Sequence, residues 1–266
     1  MSVRPRRRPG SAACAGVALA ALAAAVLASA CVPAAVTEEG RSIGTLYTAF
    51  VVIAIGVGGV VFGLATWAIL RYRAPRGARD DPSSVPLPRQ IRGDLRLEAI
   101  WTGIPILIIA GLFAGTLLVL NRVDAHTTTT AVELRVEAFR WGWAFSYPTS
   151  GVTVSGIGAE GPEAVLPVGE PIRVTVASRD VVHAFYVPVF LFKRDAIPGR
   201  ESTFEFTMDA AGTYRGQCAE FCGIYHSRMP FSIRAVSRVE FDAWLGSQPP
   251  QSAQPAASAQ SARSVP

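Results

Sequence analysis

Two long apolar runs dominate the first half of the chain. Positions 42–70 and 99–121 contain no charged side chain, and each run exceeds the ~20 residues that a helix needs to cross a bilayer. The pattern predicts a transmembrane hairpin over 42–121, with helices at about 44–70 and 99–121 joined by a loop at 71–98. Buried core helices are the alternative, which two uncharged runs of this length disfavour.

The second half of the chain shows a different pattern, in which apolar and polar residues alternate in short runs. Alternation with period two, interrupted by Gly and Pro turns, predicts an antiparallel β-sandwich or barrel over residues 131–246. A short helix is expected at 239–245, and the Ser-, Ala-, Gln- and Pro-rich segment 247–266 is expected to be a disordered tail. The alternating runs occupy residues 132–136, 172–176, 202–207 and 231–236.

Composition agrees with a membrane protein. Half of the 266 residues are hydrophobic and only 17% are charged, which is too apolar for an ordinary soluble domain. The formal net charge is +5, but the arginines gather mostly beside the apolar runs, so we do not predict nucleic-acid binding.

The first 30 residues have the features of a cleaved export signal. A basic start, Arg4 to Arg8, precedes an Ala-rich apolar run that ends in Ala28-Ser29-Ala30-Cys31. These residues fit both a bacterial lipobox and ordinary signal peptidase, and either cut leaves Cys31 as the first mature residue. An uncleaved first membrane helix is the alternative.

Arginines set the expected orientation of the hairpin. The 71–98 loop holds seven arginines, whereas the segment between Cys31 and the first apolar run holds only Arg41. The positive-inside rule therefore places the loop in the cytoplasm and the β-domain outside, as in a multi-pass protein of a bacterial cell membrane.

A cluster of metal-binding residue types lies in one short segment, 217–230. The chain contains only 4 Cys, 3 His and 3 Met, yet two Cys, one His and one Met fall within this segment. Thiolate, imidazole and thioether are soft ligands that suit copper, and His183 is a further imidazole upstream. The candidate ligands are His183, Cys218, Cys222, His226 and Met229, and Glu220 adds a carboxylate to the same segment.

The second thiol decides between kinds of metal site. A one-copper site uses one thiolate, whereas two thiolates can each bridge two metal ions, so Cys218 and Cys222 favour a dinuclear copper site. A disulfide between them is one alternative, and we expect it in the metal-free protein because the compartment is oxidising. A structural zinc site is the other, although zinc has no use for Met229.

Several motifs resemble subunit II of the haem–copper cytochrome c oxidases. They occur in the family order and the resemblance covers about residues 42–246. It implies a transmembrane α-helical hairpin followed by a cupredoxin Greek-key β-domain. The matching motifs are EAIWTGIP at 98–105, DVVH at 180–183, KRDAIPGR at 193–200 and GQCAEFCG at 216–223.

The resemblance also implies a ligand set for two copper ions, the copper A centre. Cys218 and Cys222 would bridge the two ions, and His183 and His226 would each bind one. Met229 would complete one copper ion.

Glu220 would have two roles in this arrangement. Its backbone carbonyl would complete the second copper ion, and its carboxylate would bind a Mg or Mn ion shared with subunit I. Asp195 would support the water around that ion, or would simply cap a turn.

The resemblance assigns two further functional residues. Trp141, in an aromatic segment, would accept the electron from cytochrome c, whereas Trp143 and Phe145 are expected in the core. Glu98, at the cytoplasmic end of the second helix, would feed protons into the K channel of subunit I. For Glu98 the alternative is an acid that is favoured by the helix dipole.

The implied function is electron transfer from cytochrome c to subunit I, which carries haem and copper B and reduces oxygen to water with proton pumping. Subunit III and membrane lipid are further expected partners. Because Ser146 stands where the family often has an acid, and Arg140 and Arg179 add positive charge, we hypothesise a membrane-tethered cytochrome c donor. The chain has no Cys-x-x-Cys-His motif, so no covalent haem is expected.

Three other functions would use parts of the same pattern. A quinol oxidase subunit II shares the fold but lacks the copper ligands. A copper-delivery protein needs neither the aromatic segment nor Glu98. Nitrous oxide reductase shares the ligand pattern but has a large catalytic domain and no helical hairpin.

Overall fold

The computed structural model describes residues 33–73, 93–125 and 130–249. The expected export signal, Cys31, most of the 71–98 loop and most of the 247–266 tail lie outside the described residues. The described chain divides into two units. One comprises residues 46–118 of the helical region, and the other comprises residues 33–45 together with everything from Val119 onward.

Two long apolar helices lie in the first half of the described chain. Helix α1 is Glu38–Arg71 and helix α2 is Leu95–Val123. Both are long and apolar enough to cross a membrane, and their apolar side chains are exposed, as lipid-facing side chains would be.

Both helices begin earlier than hydropathy predicts, because polar caps extend them. The Thr37 hydroxyl accepts the Gly40 N–H at 3.0 Å, and the Asp94 carboxylate accepts the Arg96 N–H at 3.0 Å. A hydropathy window excludes charged first turns, whereas a capped helix includes them.

The second half folds into a β-sandwich of two five-stranded sheets. The four alternating runs became strands β1, β5, β8 and β10, which confirms the predicted fold class. The described strands are β1 (Val132–Phe139), β2 (Gly142–Tyr147), β3 (Val152–Ile157), β4 (Glu163–Pro167), β5 (Pro171–Ser178), β6 (His183–Val187), β7 (Phe192–Ala196), β8 (Ser202–Thr207), β9 (Gly212–Cys218) and β10 (Pro230–Val236).

The order of strands is β3-β2-β1-β5-β8 in one sheet and β4-β10-β9-β6-β7 in the other. Most neighbours are antiparallel, but β1 pairs with β5 and β4 with β10 in parallel, so the chain crosses between the sheets rather than meandering. The β6–β9 pairing brings the first residues of β6 beside the last residues of β9, at one end of the sandwich.

The core lies between the two sheets. Its side chains come from the apolar positions that alternate with polar positions along the strands. In β1, Val132, Leu134, Val136 and Ala138 are buried while the intervening polar residues are more exposed. Aromatic side chains fill the middle, as predicted for Trp143 and Phe145. They are joined by Phe185 and Phe231, which stack with ring centroids 4.8 Å apart. Helix α3 (Arg238–Ser247) closes one side by packing Phe241 and Trp244 on Tyr147.

The segment before α1 is built into the β-unit. Thr37 is fully buried and pairs with Met208 as an isolated bridge, and the Val36 N–H donates to the Val189 carbonyl at 3.2 Å. A Cβ on Gly40 would lie 2.6 Å from the Phe190 carbonyl oxygen, so this close approach requires glycine.

Candidate metal centre

Strand ends bring the candidate ligands together. His183 begins β6 and Cys218 ends β9, and these strands are neighbours in which Phe185 pairs with Cys218. The connection to β10 then folds back over the strand ends. It carries Cys222, His226 in a 3₁₀ turn, and Met229 immediately before β10.

The sulfur and imidazole atoms converge at one point. His183 Nδ1 lies 3.7 Å from Cys218 Sγ, and the two cysteine sulfurs are 3.9 Å apart. Cys222 Sγ lies 3.6 Å from His226 Nδ1 and 3.4 Å from Met229 Sδ. Cys218 and Cys222 are free thiols, so the disulfide expected in the metal-free protein is not present in this structure.

Glu220 is divided between two environments. Its backbone carbonyl lies 3.2 Å from Cys218 Sγ, at the cluster. Its carboxylate is 40% exposed and accepts a hydrogen bond from the Lys193 ammonium, which also donates to Asp195 Oδ1 at 3.2 Å. Lys193 was not anticipated from the sequence, although it stands two residues before Asp195 in the same motif.

The donor atoms of this cluster are chemically suited to binding a metal ion. The ligand atoms of buried His183, Cys218 and Cys222 lie within 4.8 Å of one another. Two ligand atoms bound to one ion at about 2.0–2.3 Å are at most about 4.6 Å apart. Small movements of these side chains would therefore bring their ligand atoms within binding distance of one ion. His226 and Met229 contact Cys222, which gives the second sulfur its own imidazole and thioether.

The two thiols differ in acidity. Burial opposes ionisation of Cys218, but hydrogen bonds with His183 and the Ala184 backbone outweigh it and lower the pKa of Cys218 to about 7. Burial, reinforced by the charge of Cys218, raises the pKa of Cys222 to about 12. Burial alone would lower the pKa of His183, but contacts with Cys218 and Asp180 raise it.

Asp180 is a residue that the sequence analysis did not assign to the site. Its Oδ1 lies 2.9 Å from His183 Nε2, and its Oδ2 accepts the Arg140 backbone N–H at 2.8 Å. Burial opposes ionisation of Asp180, but these hydrogen bonds and one from Val181 lower its pKa. The available indication was its place three residues before His183, since metal-binding histidines commonly donate their second N–H to a carboxylate.

Trp141 lies against the ligand loop and is partly exposed. Its indole Nε1–H donates to the Cys222 carbonyl at 3.3 Å, and its ring meets Tyr225 edge-on with centroids 4.9 Å apart. A Cβ on Gly223, whose φ is +122°, would lie 3.2 Å from the Trp141 ring. By contrast Trp143 is fully buried, and its Nε1–H donates to the Met229 carbonyl at 2.9 Å.

Glu98 belongs to the helical unit and the other predicted residues to the β-unit. It lies in the first turn of α2, where its backbone N–H donates to the Asp94 carbonyl at 2.9 Å. That position is compatible with either role considered for this carboxylate.

The surface around the ligand loop is apolar. Phe221 and Ile224 are 82% and 79% exposed, and Tyr225 and Val182 are also exposed.

Charged groups near this surface are already paired. Arg140 contacts Asp180, and Arg179 contacts Glu137, so two of the nearby acids face arginines rather than solvent alone.

Comparison with known proteins gives consistent matches. The family model described as cytochrome C oxidase subunit II, periplasmic domain, matches residues 159–236. The protein named probable cytochrome c oxidase subunit 2 of Streptomyces avermitilis is 31% identical over 243 residues, covering 77% of this chain and 74% of that protein. Cytochrome c oxidase subunit 2 of Mycobacterium tuberculosis is 30% identical over 271 residues, with coverage of 80% and 73%.

A solved structure is also similar to part of this chain. It is the crystal structure of the periplasmic domain of subunit II of cytochrome oxidase from Bradyrhizobium japonicum. The match has 34% sequence identity, covers 46% of this chain and 96% of that chain, and has a TM-score of 0.44.

Proposed function

This chain belongs to the family of subunit II of cytochrome c oxidase, and on that premise we propose that it is the subunit through which electrons pass from cytochrome c into a haem–copper oxidase. The observation that carries the proposal is the convergence of two thiols, two imidazoles and a thioether at one end of the β-sandwich. The haem of subunit I receives the electrons, and oxygen reduction coupled to proton pumping takes place there.

The residues of the cluster would hold two copper ions, the copper A centre, which supplies acceptance and release of one electron at a time. Cys218 and Cys222 would supply the two thiolates of the centre, and each sulfur has an imidazole, His183 or His226, within 3.7 Å. Met229, which contacts Cys222, would be a further ligand.

The Glu220 backbone carbonyl, 3.2 Å from Cys218 Sγ, would be another ligand. Burial of both cysteines excludes water from the sulfurs and so protects them from oxidation.

Trp141 is the residue that accepts the electron. Its ring is partly exposed, so it can meet a haem edge, and its indole nitrogen is hydrogen-bonded to the backbone of the ligand Cys222. The electron therefore has a path of one hydrogen bond and a few covalent bonds between the surface and the cluster.

The Glu220 carboxylate would bind a Mg or Mn ion together with subunit I, with Asp195 close by. Lys193 contacts both carboxylates and would have to move aside. Oxygen ligands of this type suit hard divalent cations.

The donor would be a cytochrome c that docks mainly through apolar contacts. Phe221 and Ile224 expose large apolar surfaces beside the ligand loop, and Asp180 and Glu137 face arginines. A membrane-tethered cytochrome c fits such a surface, because tethering replaces long-range electrostatic steering. Turnover with a soluble cytochrome c as preferred donor, falling steeply as salt rises, would contradict this assignment.

The membrane arrangement follows from the two apolar helices and the arginines between them. Residues 1–30 are a cleaved export signal, and 42–121 form a hairpin whose 71–98 loop is cytoplasmic. Residues 131–246 form the extracytoplasmic cupredoxin domain. Glu98 then lies at the cytoplasmic side, where it would feed protons into the K channel, and subunits I and III pack around the hairpin.

Copper counting on the full chain in detergent tests the proposal. The reduced chain is loaded with copper, freed of excess metal and analysed by mass spectrometry for copper per chain. We expect two coppers in the unmodified chain and at most one in Cys218→Ser. Met229→Leu should weaken copper retention, whereas the matched change Met208→Leu, in the core, should not.

The alternatives make different predictions in the same experiment. One copper in the unmodified chain would indicate a copper-delivery protein, and no copper would indicate a quinol oxidase subunit. Either result would contradict the proposed function.

A further inference from the structure

One carboxylate, Asp180, connects the metal cluster to the turn that carries Trp141. Its Oδ1 lies 2.9 Å from His183 Nε2. Its Oδ2 accepts hydrogen bonds from the Arg140 backbone N–H at 2.8 Å and from the Arg140 Nε at 3.3 Å. The two oxygens of the same side chain thus contact two different elements, the first residue of β6 and the β1–β2 connection.

The contact with His183 fixes how that imidazole faces the cluster. His183 Nδ1 points to Cys218 Sγ at 3.7 Å, so the lone pair for a metal must be on Nδ1 and the proton on Nε2. Asp180 accepts that proton, which selects the tautomer and holds the ring orientation.

The contact with Arg140 fixes the position of Trp141, the next residue. From that position the Trp141 indole N–H donates to the Cys222 carbonyl. A series of contacts through Trp141, Arg140 and Asp180 therefore joins Cys222 to His183, the imidazole that faces Cys218. The segment around Asp180 is itself anchored, because the Arg179 N–H donates to the Ala138 carbonyl at 3.0 Å.

We propose that Asp180 is a positioning residue for electron transfer, a single carboxylate that orients His183 toward copper and Trp141 toward the donor. The proposal rests on the proposed function, since it concerns the same copper ligands. Asparagine cannot replace aspartate here, because its one oxygen can accept from His183 or from Arg140 while its amide group opposes the other N–H.

The test compares Asp180→Asn and Asp180→Glu with the unmodified chain and with Arg179→Gln, which changes a neighbouring charge but none of these contacts. The copper-loaded full chain in detergent is used throughout. Copper affinity is measured by competition with a chelator, the reduction potential by spectroelectrochemistry, and electron transfer from reduced cytochrome c by stopped flow.

We expect Asp180→Asn to bind copper about 10–100-fold more weakly, as when other metal-supporting carboxylates are lost. Removal of a negative charge weakens copper binding more in the oxidised than in the reduced state, so the reduction potential should rise. The rise should be about 59 mV for each factor of ten by which the oxidised state loses more affinity than the reduced state. Electron transfer should slow, Asp180→Glu should recover part of the copper affinity, and Arg179→Gln should keep the copper affinity of the unmodified chain.

Copper affinity and potential in Asp180→Asn equal to those of the unmodified chain would overturn the proposal and leave the proposed function intact. Failure of the unmodified chain to bind two coppers would instead refute the proposed function. If Asp180→Asn does not fold, as judged by loss of a cooperative thermal transition, Asp180→Glu decides. If the reduction potential of Asp180→Glu differs from that of Arg179→Gln, the proposal is supported. If the two potentials are identical, it is contradicted.

Discussion

Selective alkylation of the metal-free chain is the first prediction. With a pKa of about 7 for Cys218 and about 12 for Cys222, nearly all of Cys218 but on the order of 10⁻⁴ of Cys222 is thiolate at pH 8. The thiolate is the nucleophile, so this population difference alone favours Cys218 by about 10⁴.

Intrinsic reactivity offsets part of this preference. A thiolate of lower pKa is a weaker nucleophile, and a Brønsted coefficient of about 0.4–0.5 over the difference in pKa reduces the preference by about 10²–10²·⁵. The two residues are almost equally buried, at 5% and 6% exposure for Cys218 and Cys222, so we take their shielding from reagent as similar. The net expectation is that Cys218 reacts faster than Cys222 by at least about tenfold.

Peptide mapping measures this ratio directly. The reduced, chelator-treated full chain in detergent is exposed briefly to iodoacetamide at pH 8, quenched, digested and quantified by mass spectrometry at each cysteine. His183→Ala removes the imidazole that lowers the pKa of Cys218, so alkylation of Cys218 at pH 7 should become slower. Equal labelling of the two cysteines, or faster labelling of Cys222, would refute the reasoning about their environments.

Three further changes have definite expected outcomes. Tyr147→Phe removes a buried hydroxyl that bonds both the N–H and the carbonyl of one residue in β4, so the chain should lose about 2–4 kcal/mol of stability in denaturant unfolding; no loss would contradict this. Gly223→Ala places a Cβ 3.2 Å from Trp141 at a φ of +122°, with a strain of about 1–3 kcal/mol, so stopped flow should show slower electron transfer at an unchanged copper count. Lys193→Met removes the ammonium from the Glu220 carboxylate, so Mn²⁺ titration followed by EPR should show tighter binding than in the unmodified chain, and equal binding would count against the assignment of that carboxylate to a divalent ion.

The main elements of the fold could be predicted from the sequence because their patterns are local. Period-two alternation located β1, β5, β8 and β10, and uncharged length located both helices. Helix starts were placed too late, because the caps Thr37 and Asp94 precede charged turns that hydropathy does not count. The burial of Thr37 in the β-unit depends on contacts with residues far along the chain, which no local pattern contains.

The candidate ligands were predictable because most of them occupy one short segment with unusual composition. The structure shows what composition cannot, namely which atoms face each other. Asp180 orients the ring of His183, and Lys193 contacts the carboxylate of Glu220. The Lys193–Glu220 contact joins residues whose relative positions depend on the pairing of β6 with β7 and β9, so it emerges only once the sheet is formed. The Asp180–His183 contact spans three residues, and the sequence alone does not show which way the two side chains face.

Electron paramagnetic resonance of the copper-loaded full chain tests the central claim most directly. If Cys218 and Cys222 bridge two copper ions, the half-oxidised centre should show hyperfine splitting from two equivalent copper nuclei, and Cys218→Ser should abolish that pattern. A spectrum with splitting from a single copper nucleus in the unmodified chain would contradict the account.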